Sequence, residues 1–331
     1  MGSRNWLDLT DSHIEQSTGH YVSCGVQDFS LRYATVLSYE RTSALIKERC
    51  GGVSISDQQI FHLVKRQAHK IGEQQKALIN THQGKFETIA AKKVDIYDAQ
   101  SEEHIWLSDG VCVSEQKAVR DKVAKTGKER TITDVNLMQR TDGSYKTLVV
   151  AQDIDSVALA KAEICQEYGE KVNQLPIVVI SDGARSIKNE VKQIFGQQVT
   201  HILDWYHLQA KVYQLMSQIA PNKKDKELSI QFILNALWKG NLNTAIDHLQ
   251  NIKPKNLLKR EELVGYLDKN KDYIIQYDQR RAVGKIIGSG RGEKQNDVII
   301  AKRQKQKSMA WSPNGSRDLA LVTAYFYNTA A

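Results

Sequence analysis

Apolar residues recur at helical spacing through much of the chain's first part, which predicts a helical region over residues 1–100. One helical pattern ends at the glycine pair 51–52, and a second begins at "SISD", where Ser54 or Ser56 can cap it. A helix, a glycine turn and a capped basic helix are the components of a helix-turn-helix. The residues that we expect to contact DNA on this second helix are Lys65, Arg66 and Lys70. A helical hairpin with a solvated basic side is the alternative.

From residue 104 the pattern changes to alternation and to short apolar runs, which is typical of strands. Strands are predicted at 104–113, 129–140 and 145–154, and "DGS" forms a turn between the last two. Next come an amphipathic helix, the apolar strand "PIVVISD", a second helix that Gly196 ends, and a strand that begins "QVTHIL". Three strands, helix, strand, helix, strand is the order of an α/β, ribonuclease-H-like fold with a mixed sheet. An antiparallel meander there continues into a parallel half.

Residues 206–284 return to helical periodicity, and a lysine-rich stretch, "PNKKDKE", links parts of this segment. The pattern predicts a long helical insertion into the α/β domain. After it, the glycine-rich "GSGRGEKQND" leads into a last, basic helix. The predicted regions are a helical region at 1–100, the first part of the α/β domain at 101–205, the insertion at 206–284 and the basic C-terminal helix region at 285–331.

Charge and composition narrow the choice of partner. A net charge of +8 and a pI near 9.1 favour a polyanion, and nucleic acid is the commonest one. No apolar run approaches the roughly eighteen residues of a membrane span, and the polar amino terminus lacks the apolar segment of a secretory signal. The four cysteines stand apart, which disfavours a zinc ribbon or a disulfide framework. We therefore expect a cytoplasmic, nucleoid-associated protein that binds double-stranded DNA and no membrane.

Two aspartates end apolar strands and each precedes a glycine: Asp109 in "IWLSDGV" and Asp182 in "VVISDGA". If these strands are the first and the fourth, they are neighbours in the sheet, and the two carboxylates repel one another. A divalent cation, Mg²⁺ or Mn²⁺, removes that repulsion. Glu293 lies among three glycines and is the candidate third carboxylate of a two-metal phosphoryl-transfer site. For either aspartate alone, the plain alternative is a turn at a strand end.

Several stretches, taken together and in order, resemble the DDE transposases of bacterial insertion sequences, closest to the ISKra-type group. They are "SDGV" (108–111), "ISDGARSIKN" (180–189), "ILDWYHL" (202–208) and the block from "GSGRGEKQND" to "SPNGSR" (288–317). The resemblance implies that Asp109, Asp182 and Glu293 bind Mg²⁺ or Mn²⁺ and catalyse DNA cleavage at element ends, followed by strand transfer. It also implies a homo-oligomer, because two ends must be joined.

Asp204 and His207 form an acid-x-x-His pair, as in the wider Mutator-like group that this family resembles. We expect His207 to act in catalysis by orienting a phosphate, assisting proton transfer or contacting a flipped base. A histidine hydrogen-bonded near a strand end is the alternative. The further residues expected to bind DNA are Arg185, Arg291, Lys294, Lys302, Arg303, Lys305 and Lys307.

The chain departs from that family in ways that leave two other readings open. Relatives have Glu-Ser after the glycines, where this chain has Glu293-Lys294, and a tryptophan is common where it has Ser186. Relatives also extend further at both ends, so the first alternative is a truncated, catalytically inactive DNA-binding remnant. The second is a phosphatase similar to the haloacid dehalogenases. In that reading a strand within "TLVVAQDIDSVAL" ends in a nucleophile, Asp153, and an acid, Asp155.

Overall fold

The computed structural model describes residues 16–17, 20–50, 54–116, 130–306 and 309–330. At its centre lies a five-stranded mixed sheet, and apolar clusters on both of its faces join it to helices. The protein is therefore a mixed α/β structure, as the alternation of strand and helix patterns predicts. Within the described residues, no helix is long and apolar enough to cross a membrane.

The elements have the following bounds. The strands are β1 (Gln16–Ser17), β2 (His20–Tyr21), β3 (His104–Ser114), β4 (Arg130–Gln139), β5 (Tyr145–Leu148), β6 (Ile177–Ser181) and β7 (Thr200–Leu203). The helices up to the insertion are α1 (Cys24–Ala34), α2 (Tyr39–Arg49), α3 (Asp57–His82), α4 (Ser156–Tyr168) and α5 (Arg185–Phe195). The helices of the insertion are α6 (Trp205–Ile219), α7 (Lys223–Trp238), α8 (Leu242–Asn251), α9 (Leu257–Lys269) and α10 (Tyr277–Ala282). The last helices are α11 (Gly290–Asn296), α12 (Lys302–Gln304) and α13 (Pro313–Ala330).

The predicted start of the second N-terminal helix is confirmed at Ser56. The Ser56 side chain accepts a hydrogen bond from the Gln59 N–H at 3.1 Å, and the Gln59 side chain accepts one from the Ser56 N–H at 2.9 Å. This reciprocal pair satisfies N–H groups that the helix itself leaves free. The glycine pair at 51–52 lies outside the described residues.

α3 buries its apolar stripe against the other end of the chain. Ile60, Leu63 and Val64 are among the buried residues of α3, and they share one apolar cluster with side chains of α1 and α13. The helix α13 lies within the region predicted as the basic C-terminal helix region, and it supplies much of the surface that covers α3. Burial of a shared apolar face therefore fixes the N-terminal helices to the C-terminal one.

The central sheet has the strand order β5-β4-β3-β6-β7. β3 pairs antiparallel with β4 and β4 with β5, whereas β3 with β6 and β6 with β7 are parallel. This confirms an antiparallel meander that continues into a parallel half, and it confirms β3 and β6 as neighbours. All residues of β6 are buried, as expected for a parallel strand covered on both faces.

Asp109 does not end its strand, contrary to the sequence-based expectation. The parallel pairing of β3 with β6 stops at Ser108 opposite Ser181, but antiparallel pairing with β4 continues to Ser114. Asp109 therefore lies within β3, at the point where one of the two neighbouring strands ends. Ser108, the residue before Asp109, lies opposite Ser181, the residue before Asp182.

The strand predicted at 145–154 is shorter in the structure, which removes the basis of the phosphatase reading. β5 ends at Leu148 and is an edge strand. Asp153 is exposed with a positive φ of 60°, and Asp155 caps α4 by accepting the Ala158 N–H at 3.0 Å. Neither aspartate stands at the end of a buried strand, so the D-x-D interpretation is wrong.

The predicted insertion is helical and shares a core with the sheet. Gly240, with a φ of +73°, lies between α7 and α8 and divides what reads in the sequence as a continuous helical stretch. Leu107 and Ile202 of the sheet belong to the same buried cluster as Leu215 and Ile233 of the insertion. The insertion is therefore packed onto the α/β domain rather than tethered to it.

Candidate metal centre

The parallel pairing of β3 and β6 brings Asp109 and Asp182 side by side. Ser108 lies opposite Ser181, and each aspartate is the next residue of its strand or turn. Neighbouring strands lie about 4.8 Å apart, so the two side chains leave the sheet close to one another. The Ala184 N–H donates to Asp182 Oδ1 at 2.8 Å and holds the turn. Gly183 follows with a φ of +79°, a conformation that side-chain-bearing residues rarely adopt.

The carboxyl group of Asp109 has a shifted pKa. Burial raises its pKa above the ordinary value, and the negative charge of Asp182 acts in the same direction. The Gly110 N–H, the charge of His207 and the Asn296 amide oppose this rise. The charges of Asp182 and His207 both act on Asp109, as expected for groups of one site.

The helix α11, which carries Glu293, is bonded to Asp109 through Asn296. Asn296 Nδ2 donates to Asp109 Oδ2 at 2.7 Å, and Asn296 lies three residues after Glu293, on the same side of the helix. Gly292 packs on the sheet, where a Cβ would lie 3.4 Å from Leu107 Cβ, an ordinary contact distance. Glu293 itself is exposed, with a side-chain exposure of 52%. Asn296 was missed by the sequence analysis, and only its spacing from Glu293 could have indicated it.

His207 lies between two carboxylates. Its Nδ1 is 3.4 Å from Asp204 Oδ2 and 3.9 Å from Glu293 Oε1. The neighbouring Asp204 raises the pKa of His207 from 6.5 to about 9; burial opposes the rise, and Glu293 and Asp109 add to it. At neutral pH the imidazole is therefore a cation that balances part of the negative charge.

Asp204 is fully buried and its oxygens are already bonded. Oδ1 accepts the N–H groups of Tyr206 and His207 at 2.6 and 3.2 Å, and so caps α6. Oδ2 accepts the N–H of Ser289 at 2.6 Å and also its hydroxyl. Burial acts to raise the pKa of Asp204, but these bonds and His207 lower it overall, so the group is ionised.

Tight packing around Gly288 holds this arrangement. A Cβ at Gly288 would collide with the ring of Tyr206 and would come within 3.3 Å of Asp204 Oδ1. By contrast, a Cβ at Gly290 would meet nothing within 4 Å. The expected role of the glycines as close-approach positions therefore holds for Gly288, but not for Gly290 or Gly292.

The side chains present fit a hard divalent cation. Ligand atoms of Asp204, His207 and Glu293 all lie within 4.8 Å of one another. Among the described residues, Asp109 and Asp182 do not belong to this group, and the oxygens of Asp204 already accept four hydrogen bonds. Within the part of the chain that the structure describes, Asn296 Oδ1 is a buried acceptor without a hydrogen-bond partner beside Asp109. Carboxylate and amide oxygens are the ligands that Mg²⁺ and Mn²⁺ prefer.

The basic residues expected to bind DNA differ in how accessible they are. The exposed ones are Lys65, Lys70, Arg185, Arg291, Lys294, Lys302 and Lys305. Arg66 is half-buried, and Lys307 lies outside the described residues. Arg303 is only 3% exposed: its Nε donates to the Ala34 carbonyl, and its guanidinium packs over Tyr39 and Trp311. Arg303 therefore connects the C-terminal segment to the N-terminal helices and is not available to a DNA backbone.

Comparison with known proteins gives a family and little more. The family described as uncharacterised protein family UPF0236 matches residues 3–330. No curated protein matches the chain. Among solved structures, the chain is similar to a Drosophila P element transposase strand transfer complex, at 10% identity over 92% of this chain and 85% of that chain. The TM-score is 0.26, which is too low to carry an argument about fold or function.

Proposed function

The chain belongs to the UPF0236 family, and we propose that it is a metal-dependent transposase of the DDE type with a ribonuclease-H-like α/β domain. The reaction is DNA strand cleavage at the ends of an insertion sequence and transfer of those strands to target DNA. The proposal is supported by the pairing of Ser108 with Ser181, which precede Asp109 and Asp182, and by the Asn296 bond that joins the helix of Glu293 to Asp109. His207 lies 3.9 Å from Glu293 at the start of that helix.

The fold assignment within the proposal rests on strand order and direction. A meander, β3 to β5, is followed by two parallel strands, with β3 in the middle of the sheet. A long helical insertion separates β7 from the helix that carries Glu293. This is the arrangement that the sequence resemblance implies for ribonuclease-H-like transposases.

Asp109, Asp182 and Glu293 are the proposed ligands of Mg²⁺ or Mn²⁺. A bound cation would neutralise the paired carboxylates, polarise the phosphodiester and activate the attacking hydroxyl group. The two aspartates come from the sheet and the turn beside it, so they are held more rigidly than loop residues would be. Asn296 orients Asp109 through its 2.7 Å hydrogen bond and anchors the short helix that carries Glu293.

His207 is proposed to bind the phosphate and to move a proton. As a cation it can donate to a non-bridging oxygen, and it can protonate the leaving 3′ oxygen in the cleavage step. Asp204 keeps the imidazole in place and sustains its charge. The exposed basic residues on α3 and from Arg291 to Lys305 would contact the DNA backbone, and we propose a homo-oligomer because two ends must be joined.

The test uses the purified full chain and duplex DNA that carries the repeats flanking its gene. Strand cleavage is followed on sequencing gels with Mg²⁺, with Mn²⁺ and with chelator. Cleavage should need the cation and should be abolished by Asp109→Asn, Asp182→Asn or Glu293→Gln. Asp153→Asn is the matched control, because Asp153 is an exposed aspartate with no part in the proposed site.

DNA affinity, measured in parallel, separates the catalytic proposal from the alternative of a catalytically inactive DNA-binding remnant. The three site variants should bind DNA at least as well as the wild type, since each removes a negative charge. If the wild-type chain binds the repeats but cuts neither strand with either cation, the catalytic proposal is wrong and the non-catalytic DNA-binding alternative takes its place. If Asp153→Asn is as inactive as Asp182→Asn, the assignment of the site is wrong.

A further inference from the structure

A buried polar network lies behind the turn that carries Asp182, and the proposed reaction uses none of its side chains. Ser181 is 0% exposed, Lys188 8%, His201 8% and Asn270 1%. Buried polar groups destabilise a fold unless they are paired. These four residues come from β6, α5, β7 and the residue that follows α9 in the insertion, so their pairing joins separate parts of the fold.

Lys188 connects α5 to the helical insertion. Its Nζ donates to Asn270 Oδ1 at 2.6 Å and lies 3.9 Å from the centroid of the Tyr273 ring. Asn270 in turn donates from Nδ2 to the Tyr266 carbonyl at 2.8 Å, which fixes its amide against the last turns of α9. A buried ammonium held by an amide oxygen and an aromatic face has a defined position.

The same residues contact the Asp182 turn from both sides. A Cβ on Gly183 would lie 2.7 Å from Asn270 Oδ1, so Asn270 packs directly against the residue that follows Asp182. On the other side, Ser181 Oγ accepts the Gly183 N–H at 3.3 Å and lies 2.8 Å from His201 Nε2. The His201 ring packs against Tyr273 at 4.9 Å. Both sets of contacts therefore meet at the segment of the insertion that includes Asn270 and Tyr273.

We propose that Lys188 and Asn270 are positioning residues, which hold the Asp182 turn in its cation-binding geometry by docking the helical insertion against it. The proposal rests on the proposed function in one respect, that Asp182 binds a divalent cation. It adds that the insertion, which contributes none of the three carboxylates, sets the affinity of the site for that cation.

The test measures Mn²⁺ binding to the full-length chain by calorimetry and amide hydrogen exchange of residues 181–186. Lys188→Met keeps the length of the side chain and removes the donor, and Asn270→Leu removes the acceptor. Each should weaken Mn²⁺ binding by roughly tenfold, as is usual when the support of a metal ligand is lost. Each should also speed exchange in the turn. The double variant should be little weaker than either single one, because both changes remove one interaction.

Two variants control for general damage to the fold. Lys192→Met lies on the same helix with an exposed side chain, and it should leave both Mn²⁺ affinity and exchange unchanged. Lys188→Arg keeps a donor and should restore part of the affinity. If Lys188→Met does not fold, Asn270→Leu and Lys188→Arg carry the test.

The outcomes separate this inference from the proposed function. If the wild type does not bind Mn²⁺, the proposed cation site is wrong. Amide exchange of residues 181–186 would still test whether Lys188 and Asn270 dock the insertion against the Asp182 turn. Equal Mn²⁺ affinity and equal exchange in the wild type, Lys188→Met and Asn270→Leu would overturn the inference and leave the proposed function standing. Equal effects in Lys192→Met and Lys188→Met would also overturn it, because the network would then have no specific role.

Discussion

The raised pKa of His207 predicts that the stability of the metal-free protein depends on pH. The imidazole is placed 3.4 Å from Asp204 and 3.9 Å from Glu293, and its pKa rises from 6.5 to about 9. Because the folded pKa exceeds the unfolded one, protonation of His207 stabilises the folded state. This contribution is fully present below pH 6.5 and is lost as the pH rises through about 9.

The size of the effect follows from the shift and from the exposure of the side chain. One pKa unit corresponds to about 1.4 kcal/mol, so a rise from 6.5 to about 9 corresponds to at most about 3.5 kcal/mol. The His207 side chain is 36% exposed, and solvent screens charge interactions at such positions. We therefore expect His207 to contribute about 1–2 kcal/mol to the free energy of unfolding at low pH.

The assay is urea unfolding of the wild type and His207→Gln, with chelator present, over a series of pH values. The difference in unfolding free energy between the two should be largest below pH 6.5 and should shrink as the pH rises through about 9. Titrating groups remote from His207 are common to both proteins and cancel in the difference, whereas the pKa values of Asp204 and Asp109 depend on His207 and affect the difference at acidic pH. His248→Gln is a control of opposite sign, because burial lowers the pKa of His248 and its contribution is lost as the pH falls.

The outcome can contradict the reasoning directly. If the difference between wild type and His207→Gln is constant with pH, or grows as the pH rises, His207 is not a cation held between the carboxylates. Asp204→Asn supplies an independent check by NMR titration, since the His207 pKa should fall when the charge beside it is removed.

Three further predictions concern packing, a buried ion pair and DNA contact. Gly288→Ala should lower the free energy of unfolding by about 1–3 kcal/mol because its Cβ meets a tyrosine ring, whereas Gly290→Ala should not; thermal unfolding compares the two. Arg280 is fully buried and pairs with Glu103 at 2.7 and 3.0 Å, so Arg280→Met should cost about 3 kcal/mol in urea unfolding, and an unchanged stability would contradict this. Lys305→Ala should reduce the slope of log DNA affinity against log salt by about 1 without changing stability, and an unchanged slope would exclude a phosphate contact.

Local sequence signals were sufficient for the elements and for part of the site. Ser56 and Gln59 satisfy each other at the start of α3, and such a cap is recognisable from spacing alone. The adjacency of Asp109 and Asp182 followed from the order of apolar strands, because a meander that continues into a parallel strand makes β3 and β6 neighbours. In both cases the deciding interactions are local or follow from chain order.

What could not be predicted depends on side chains distant in sequence. β5 is an edge strand, and within it Asn328 bonds both the N–H and the carbonyl of Thr147. Gln75 then bonds the Val149 carbonyl and the Ala151 N–H. No pattern within 145–154 reveals these two residues, so the apolar run read as a longer strand. The burial of Arg303 has the same origin, since its partners come from the N-terminal helices.

The position of Glu293 depends on a junction at which the insertion both begins and ends. The Trp205 N–H donates to the Ile287 carbonyl at 3.1 Å, and Asp204 holds Ser289, so the chain leaves the sheet and returns to it at one point. The Glu293 N–H then bonds the Ser289 carbonyl at 3.0 Å, which starts α11 from that same junction. Because the two ends are bonded to each other, the placement of Glu293 does not require any particular length of chain between them. The Asp182 turn has its own local bonds but also packs against the insertion at Asn270, so changes inside the insertion should act on Asp182 before they act on Glu293.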